Sequence, residues 1–167
     1  MRETIVREVR SDPEKYNEGV LGRSNEDYQT WILDENTWGG AIELSILCDY
    51  FKTEITVVDA QNVRLNNFGE DQNYTHRVLL VYDGIHYDPL VLEACDGSGV
   101  RHTRFDRSNE GVLELALEMA RELKRSRQYT DLKSFTIRCL VCQQTFKGEA
   151  EAQEHAKATQ HINFGEV

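Results

Sequence analysis

Two groups of side chains in this sequence have the types and spacings that chemistry needs. His86 and Asp88 alternate in the stretch Tyr82-Asp83-Gly84-Ile85-His86-Tyr87-Asp88. In an extended strand that spacing puts both on one face. A carboxylate that accepts from one imidazole nitrogen fixes the tautomer and leaves the other nitrogen basic, as a general base requires. Cys139, Cys142, His155 and His161 form the second group, with the spacing Cys-x2-Cys-x12-His-x5-His. Cysteines from a hairpin and histidines from one helix face close a tetrahedron, so this group predicts a structural Zn2+ site.

Both groups need elements to position them. The apolar run Val78-Leu79-Leu80-Val81 leads into the His86 stretch, and Pro89-Leu90-Val91-Leu92 leads out. An Asp-Gly pair between such runs predicts a hairpin, with His86 among the first residues of its second strand. Upstream, Ile5, Val6 and Val9 make a helical stripe that ends at Asp12-Pro13. Ser24, with Asp27 three positions on, opens a second helix whose apolar face holds Tyr28, Trp31 and Ile32. Trp38-Gly39-Gly40 precedes a helix from Ala41 to Phe51 that is apolar almost all round, which predicts burial. Ile55-Thr56-Val57-Val58 reads as a buried strand, Val63-Arg64-Leu65 as its partner, and 66–75 as a polar loop. Residues 94–109 turn rich in Gly, Asp and Arg, through Cys95-Asp96-Gly97-Ser98-Gly99, and read as a loop or linker. A helix over about 109–127 follows, with Leu113, Leu117, Ala120 and Leu123 on one face. Phe135 to Cys142 is a strand and turn, and Phe146 and Ala152 supply a small core for the metal module. The fold class is α+β, a small sheet flanked by helices followed by a ββα zinc finger.

The chain of 167 residues has room for one domain and a small module. Its formal net charge of -10 argues against a non-specific nucleic-acid or membrane-surface binder. The finger helix reads Gly148-Glu149-Ala150-Glu151-Ala152-Gln153-Glu154, and its glutamates would be repelled by phosphates. No nucleic-acid partner and no membrane insertion are expected. The N-terminus has no signal-peptide core, which predicts the cytosol or nucleus, and a cytoplasmic protein is expected. In that compartment the four cysteines are thiols or metal ligands rather than disulfides. Cys48 on its apolar helix reads as a small buried hydrophobe.

Several stretches together resemble the ovarian-tumour (OTU) family of ubiquitin-specific cysteine proteases, in its thioesterase branch with a C-terminal zinc finger. They are Trp38-Gly39-Gly40-Ala41-Ile42-Glu43, Thr56-Val57-Val58-Asp59, Arg77 to Leu90, and Phe135 to Val167 with its closing Asn163-Phe164-Gly165-Glu166-Val167. The resemblance implies hydrolysis of the bond after the C-terminal glycine of ubiquitin, by a thiolate whose proton passes to a histidine. His86 matches the family's catalytic histidine, and Asp88 stands where its orienting partner is expected. The family also uses an Asp three residues before the nucleophile, so two sources exist for the third triad role. Trp38, Gly39, Gly40, Asp83, Gly84 and Ile85 would meet ubiquitin or polyubiquitin, with Asp34, Glu35 and Glu43 available to its tail arginines. Trp38-Gly39-Gly40 equally reads as a turn with an aromatic plug.

The family's nucleophile lies in an Asp-x-x-Cys loop, and this sequence contains none. The chain is expected to open at the helix that follows that loop and to be inactive as it stands. The branch's ubiquitin-like domain, which docks on a p97-type ATPase, would also lie outside it. The expected organisation is 1–93 as the later part of an OTU domain, 94–132 as linker and helix, and 133–167 as the finger. A non-catalytic ubiquitin-binding or adaptor fragment is the alternative.

Overall fold

The computed structural model describes residues 1–94, 97–130, 136–161 and 164–166, with side chains omitted at 149, 150, 165 and 166. Cys95, Phe135, Asn163 and Val167 lie outside the described residues. The chain groups into two compact units: 1–57 with 66–80 and 89–112, and 58–65 with 81–88 and 113–167.

The first unit begins with four helices, α1 (Arg2–Ser11), α2 (Glu18–Leu21), α3 (Asn25–Leu33) and α4 (Ala41–Phe51). The α1 stripe works as its spacing predicts, since Ile5, Val6 and Val9 are buried. They join Tyr16, Leu21, Tyr28, Ile32 and Ile46 in one core. Ser24 caps α3 by accepting from the Asp27 N–H at 3.1 Å. Polar side chains then tie the helices together. The Asn25 amide donates to the carbonyls of Val9 at 3.0 Å and Tyr16 at 2.9 Å. The Arg2 guanidinium donates to the carbonyls of Ile32 at 2.6 Å and Thr37 at 2.5 Å, which satisfies orphan acceptors after α3.

Helix α4 departs from expectation. Ile46 and Cys48 are buried, but Ile42, Leu44 and Leu47 are only partly covered and Phe51 is exposed. An all-apolar sequence states that burial is tolerated; it does not say how many neighbours the helix will find.

The sheet strands are β1 (Glu54–Asp59), β2 (Arg64–Phe68), β3 (His76–Tyr82) and β4 (Tyr87–Pro89), in the order β2-β1-β3-β4. Every residue of β1 is buried, as its β-branched run predicts for a central strand. That burial includes Glu54, whose carboxylate is held by Arg77 and Arg107, each at 2.9 Å. Arg107 also donates to the carbonyls of Gln72 at 2.6 Å and Glu70 at 2.5 Å. A buried carboxylate is tolerable only with such partners.

Residues 97–109 carry strands that a linker reading did not anticipate. β5 (Leu92–Glu93) pairs with β6 (Arg101–His102), and β7 (Phe105–Asp106) pairs with the start of β3. Phe105 is buried and anchors this polar stretch. Two-residue strands carry too little period to be seen in the sequence.

In the second unit, α5 (Glu110–Arg125) contributes most of its length. Leu113 and Ala120 are buried as predicted, with Ala116 beside them, while Leu117 and Leu123 are half-buried. The helix ends in a Schellman-type turn. Arg127 takes φ +56 and the Gln128 N–H donates to the Leu123 carbonyl at 2.9 Å.

The C-terminal module comprises β8 (Thr136–Cys139), β9 (Thr145–Lys147), α6 (Gly148–Thr159) and β10 (Phe164–Glu166). β8 and β9 pair with Ile137 opposite Phe146. β10 adds a third strand to the expected ββα finger, with Phe164 opposite Cys139. Cys139, Phe146 and Ala152 form the small core, with Ile137 and Phe164 packed against it.

Candidate active-site loop and metal centre

His86 closes the connection between β3 and β4 rather than opening the second strand. The Asp-Gly pair does not make a two-residue turn. Instead the Asp83 N–H donates to the His86 carbonyl at 3.2 Å. The Asp83 Oδ1 accepts from the N–H of Ile85 at 2.9 Å and of His86 at 2.7 Å. A side-chain carboxylate thus replaces a backbone carbonyl, as in an Asx turn. The Tyr82 hydroxyl donates to the Gly84 carbonyl at 2.5 Å, and the Tyr82 and Tyr87 rings stack with centroids 4.6 Å apart.

Thr130 closes over the same loop. Its N–H donates to the Asp83 carbonyl at 2.7 Å. Gly84 sits at φ +113 and is buried, and a Cβ there would stand 2.4 Å from the Thr130 carbonyl oxygen. The glycine of the loop therefore makes room for Thr130. Sequence reasoning missed Thr130, which lies 47 positions from Asp83 and carries no local signal.

Within this frame His86 Nδ1 lies 3.2 Å from Asp88 Oδ2, so the alternate spacing does bring the pair together. Both side chains are more than half exposed, at 55% and 62%. An exposed pair adds little stability, and its effect is orientation. With Asp88 accepting from Nδ1–H, the lone pair of the neutral ring is on Nε2. That arrangement can accept a proton from a thiol or return one to a leaving amine.

The predicted metal ligands also converge. One donor atom from each of Cys139, Cys142, His155 and His161 lies within 4.8 Å of the others. Cys142 Sγ and His155 Nε2 are 3.4 Å apart. Cys139 is buried, which opposes ionisation, but the N–H groups of Cys142 and Val141 outweigh that and hold its thiol below the usual value. A lowered thiol suits a metal ligand, which must be a thiolate. His161 Nδ1 is buried without a partner among the described residues. A nitrogen in that position calls for a partner that the described residues do not provide, and the donor set suits a metal ion.

Trp38, Gly39 and Gly40 belong to the first unit. They line a cavity of about 380 Å³ with Arg23, Trp31 and Glu43. Trp38 is 59% exposed, so it is no buried plug. The Arg23 guanidinium lies 4.3 Å above the Trp31 ring. Glu43 is not available to an incoming arginine. It is buried, its Oε2 accepts from the Gly40 N–H at 2.5 Å, and its Oε1 accepts from the Tyr28 hydroxyl. A glutamate at the third helical position reaching back to the cap N–H is half of a capping box, and that pattern was readable in the sequence. Asp34, by contrast, is exposed; the N–H and the side chain of Asn36 donate to its Oδ1 and hold its carboxyl below the usual value.

Cys48 behaves as a core residue. It is buried, its thiol donates to the Phe68 carbonyl at 3.0 Å, and burial pushes its pKa up.

Comparison with known proteins gives the family of both parts of the chain. Residues 1–91 match the family described as OTU-like cysteine protease. Residues 133–167 match the family described as ubiquitin thioesterase OTU1, C-terminal C2H2-type zinc finger. All 167 residues align with the ubiquitin thioesterase OTU1 of Gallus gallus at 54% identity, covering 55% of that protein. The Homo sapiens ubiquitin thioesterase OTU1 is 53% identical over the whole chain, which covers 48% of it, and the Drosophila melanogaster ubiquitin thioesterase Otu1 is 50% identical, with 48% covered. The chain thus spans about half the length of the curated relatives it matches. A solved ovarian tumor (OTU) domain in complex with ubiquitin superposes with a TM-score of 0.68 at 34% identity, covering 77% of this chain and 73% of that one. With the fold, the finger and more than half of its length matched, the chain belongs to the OTU-like cysteine protease family, in the form that carries an OTU1-type C-terminal zinc finger.

Proposed function

We propose that this chain carries the histidine half of a deubiquitinase active site together with a structural zinc finger. The reaction is cysteine-dependent hydrolysis after the C-terminal glycine of ubiquitin. His86 is the general base and acid, and Asp88 orients it. The observation that carries this reading is the 3.2 Å contact between His86 Nδ1 and Asp88 Oδ2 on a loop fixed by Asp83.

The thiol that His86 serves is not among the cysteines described here. Cys48 is buried and hydrogen-bonded, and Cys139 and Cys142 are metal ligands in this reading. None of these three is therefore the nucleophile; the family's nucleophile lies in an Asp-x-x-Cys loop that this sequence does not contain, and on that reading the chain by itself is inactive. Trp38, Gly39 and Gly40 receive the extended ubiquitin tail, Ile85 adds an apolar contact, and Asp83 and Gly84 support the loop from within. Cys139, Cys142, His155 and His161 bind Zn2+, which holds the finger together. A p97-type ATPase would be met through a separate ubiquitin-like domain, and the compartment is the cytoplasm.

The test uses ubiquitin carrying a thiol-reactive group at its C-terminus. The 167-residue chain should stay unlabelled, whereas the chain extended with an Asp-x-x-Cys segment should be labelled, and His86→Ala in that extension should abolish labelling. Labelling of the unextended chain would refute the missing-thiol reading. Failure of the extended chain, with ubiquitin still bound, would favour the adaptor alternative.

A further inference from the structure

We propose that Thr130 is a positioning residue for His86, acting through its backbone. Residues 126–130, which follow α5, would then be part of the active-site frame. This deepens the deubiquitinase reading and rests on it for its functional meaning.

The path from α5 to His86 is short and consists of fixed contacts. Arg127 takes the left-handed conformation at φ +56, which ends α5 and redirects the chain. Three residues later, the Thr130 N–H donates to the Asp83 carbonyl at 2.7 Å. The Thr130 carbonyl meanwhile occupies the space where a side chain on residue 84 would be, 2.4 Å from that ideal Cβ position. Asp83 is the residue whose carboxylate accepts from the His86 N–H at 2.7 Å. Thr130 therefore fixes the acceptor that fixes His86. The Tyr82 hydroxyl holds the Gly84 carbonyl. Two neighbours thus fix the loop through its own backbone, and the Asp88 contact needs only to set the ring.

Loops held this way open as a unit. If Thr130 releases, Asp83 loses one of its restraints, and the His86 ring samples rotamers in which Asp88 no longer accepts from Nδ1. The imidazole then exchanges between tautomers instead of keeping Nε2 basic. A Thr130 that only stabilised the fold would leave that equilibrium unchanged.

The test is nitrogen-detected NMR of the His86 ring in the 167-residue chain. Wild type should show one dominant tautomer, with the proton on Nδ1. Thr130→Ala keeps both backbone groups and should match wild type in tautomer. Thr130→Pro removes the N–H, and Gly84→Ala pushes against the carbonyl. Each should shift the His86 ring toward a tautomer mixture, with the resonances of the sheet retained. Unchanged His86 signals in folded Thr130→Pro and Gly84→Ala would overturn the proposal. Hydrogen exchange of the wild-type chain decides the matter even if those variants do not fold. The Thr130 and His86 amides should have protection factors within about tenfold of each other, as members of one opening unit. A Thr130 amide that exchanges far faster than that of His86 would overturn it. A chain with this coupling that fails to bind ubiquitin would break the functional reading alone and leave the positioning role intact.

Discussion

The His86 N–H donates to Asp83 Oδ1 at 2.7 Å, and the Ile85 N–H donates to the same oxygen at 2.9 Å. The backbone of the proposed general base is held by the side chain that begins its turn. In the sequence Asp83 reads as one half of an Asp-Gly hairpin signal. In the structure it is the acceptor around which a longer turn folds.

Asp83→Ala leaves two N–H groups without this acceptor and should destabilise the second unit by about 1–3 kcal/mol. Asp83→Asn keeps a carbonyl oxygen in the same place and should cost under about 1 kcal/mol. Urea unfolding followed by the loop tyrosines, Tyr82 and Tyr87, measures both. Equal losses in the two variants would show that charge, not the acceptor geometry, holds the turn.

The buried Glu43 carboxylate gives a second, independent prediction. It accepts from the Gly40 N–H and the Tyr28 hydroxyl. Tyr28→Phe removes one donor and leaves a buried carboxylate oxygen unsatisfied, which should cost about 1–3 kcal/mol. Glu43→Ala loses the backward reach to the cap as well, so α4 should fray from its first turn. Amide exchange at Ala41 and Ile42 should rise in Glu43→Ala more than in Tyr28→Phe. The cavity lined by Trp38 should lose its rigid wall with it.

These examples show which features the sequence could carry. The clustering of Cys139, Cys142, His155 and His161 was legible from their spacing, but His161 lies past the end of α6 rather than on its face. The α1 stripe and the Ser24 cap were legible because period and cap chemistry are local. Thr130 was not, because a contact from position 130 to position 83 is backbone to backbone and leaves no residue signature. Glu43 was misread as a ligand for arginine, although its place at the third helical position already favoured a capping role. Strands β6 and β7 escaped notice because each is two residues long, and only the buried Phe105 reveals that the chain returns to β3.

A pH dependence follows from Asp59. Burial opposes its ionisation, but the Asn62 side-chain amide and N–H, at 2.7 and 2.9 Å, and the Arg64 guanidinium at 3.3 Å outweigh that. Its folded pKa is held below the usual aspartate value. Between the two values the unfolded chain binds the extra proton, so stability rises with pH there. The contribution is complete above the usual aspartate range and is lost as pH falls through the depressed folded value. Asp59→Asn should therefore be less stable than wild type near neutrality, with the gap closing in acid. Urea midpoints compared at about pH 7 and about pH 2.5 read this directly. A gap that stays constant would mean that the variant loses packing, not linkage.

The finger supplies the last prediction. Its core is Cys139, Phe146 and Ala152, with Ile137 and Phe164 against it, too small to stand without a metal. Two ligands come from the β8 end and the turn after it, and His155 comes from α6, so one ion ties strand, turn and helix together. The helical core of the first unit contains none of these residues. Chelation should therefore unfold the module while leaving that core in place. Amides paired between β8 and β9, such as Ile137 with Phe146, should lose protection, while those of Val9 and Ile32 keep theirs. Reloading with Co2+ should restore the fold and give the visible bands of a tetrahedral site with sulfur ligands. His161→Ala should weaken metal binding by more than the roughly 10–100-fold that loss of an outer-shell partner costs, because a ligand itself is gone. Glu151→Gln, whose carboxylate only caps α6 by accepting from the Lys147 N–H at 2.8 Å, should leave metal affinity unchanged. Equal metal affinity in wild type and His161→Ala would remove His161 from the ligand set and leave its buried Nδ1 unexplained.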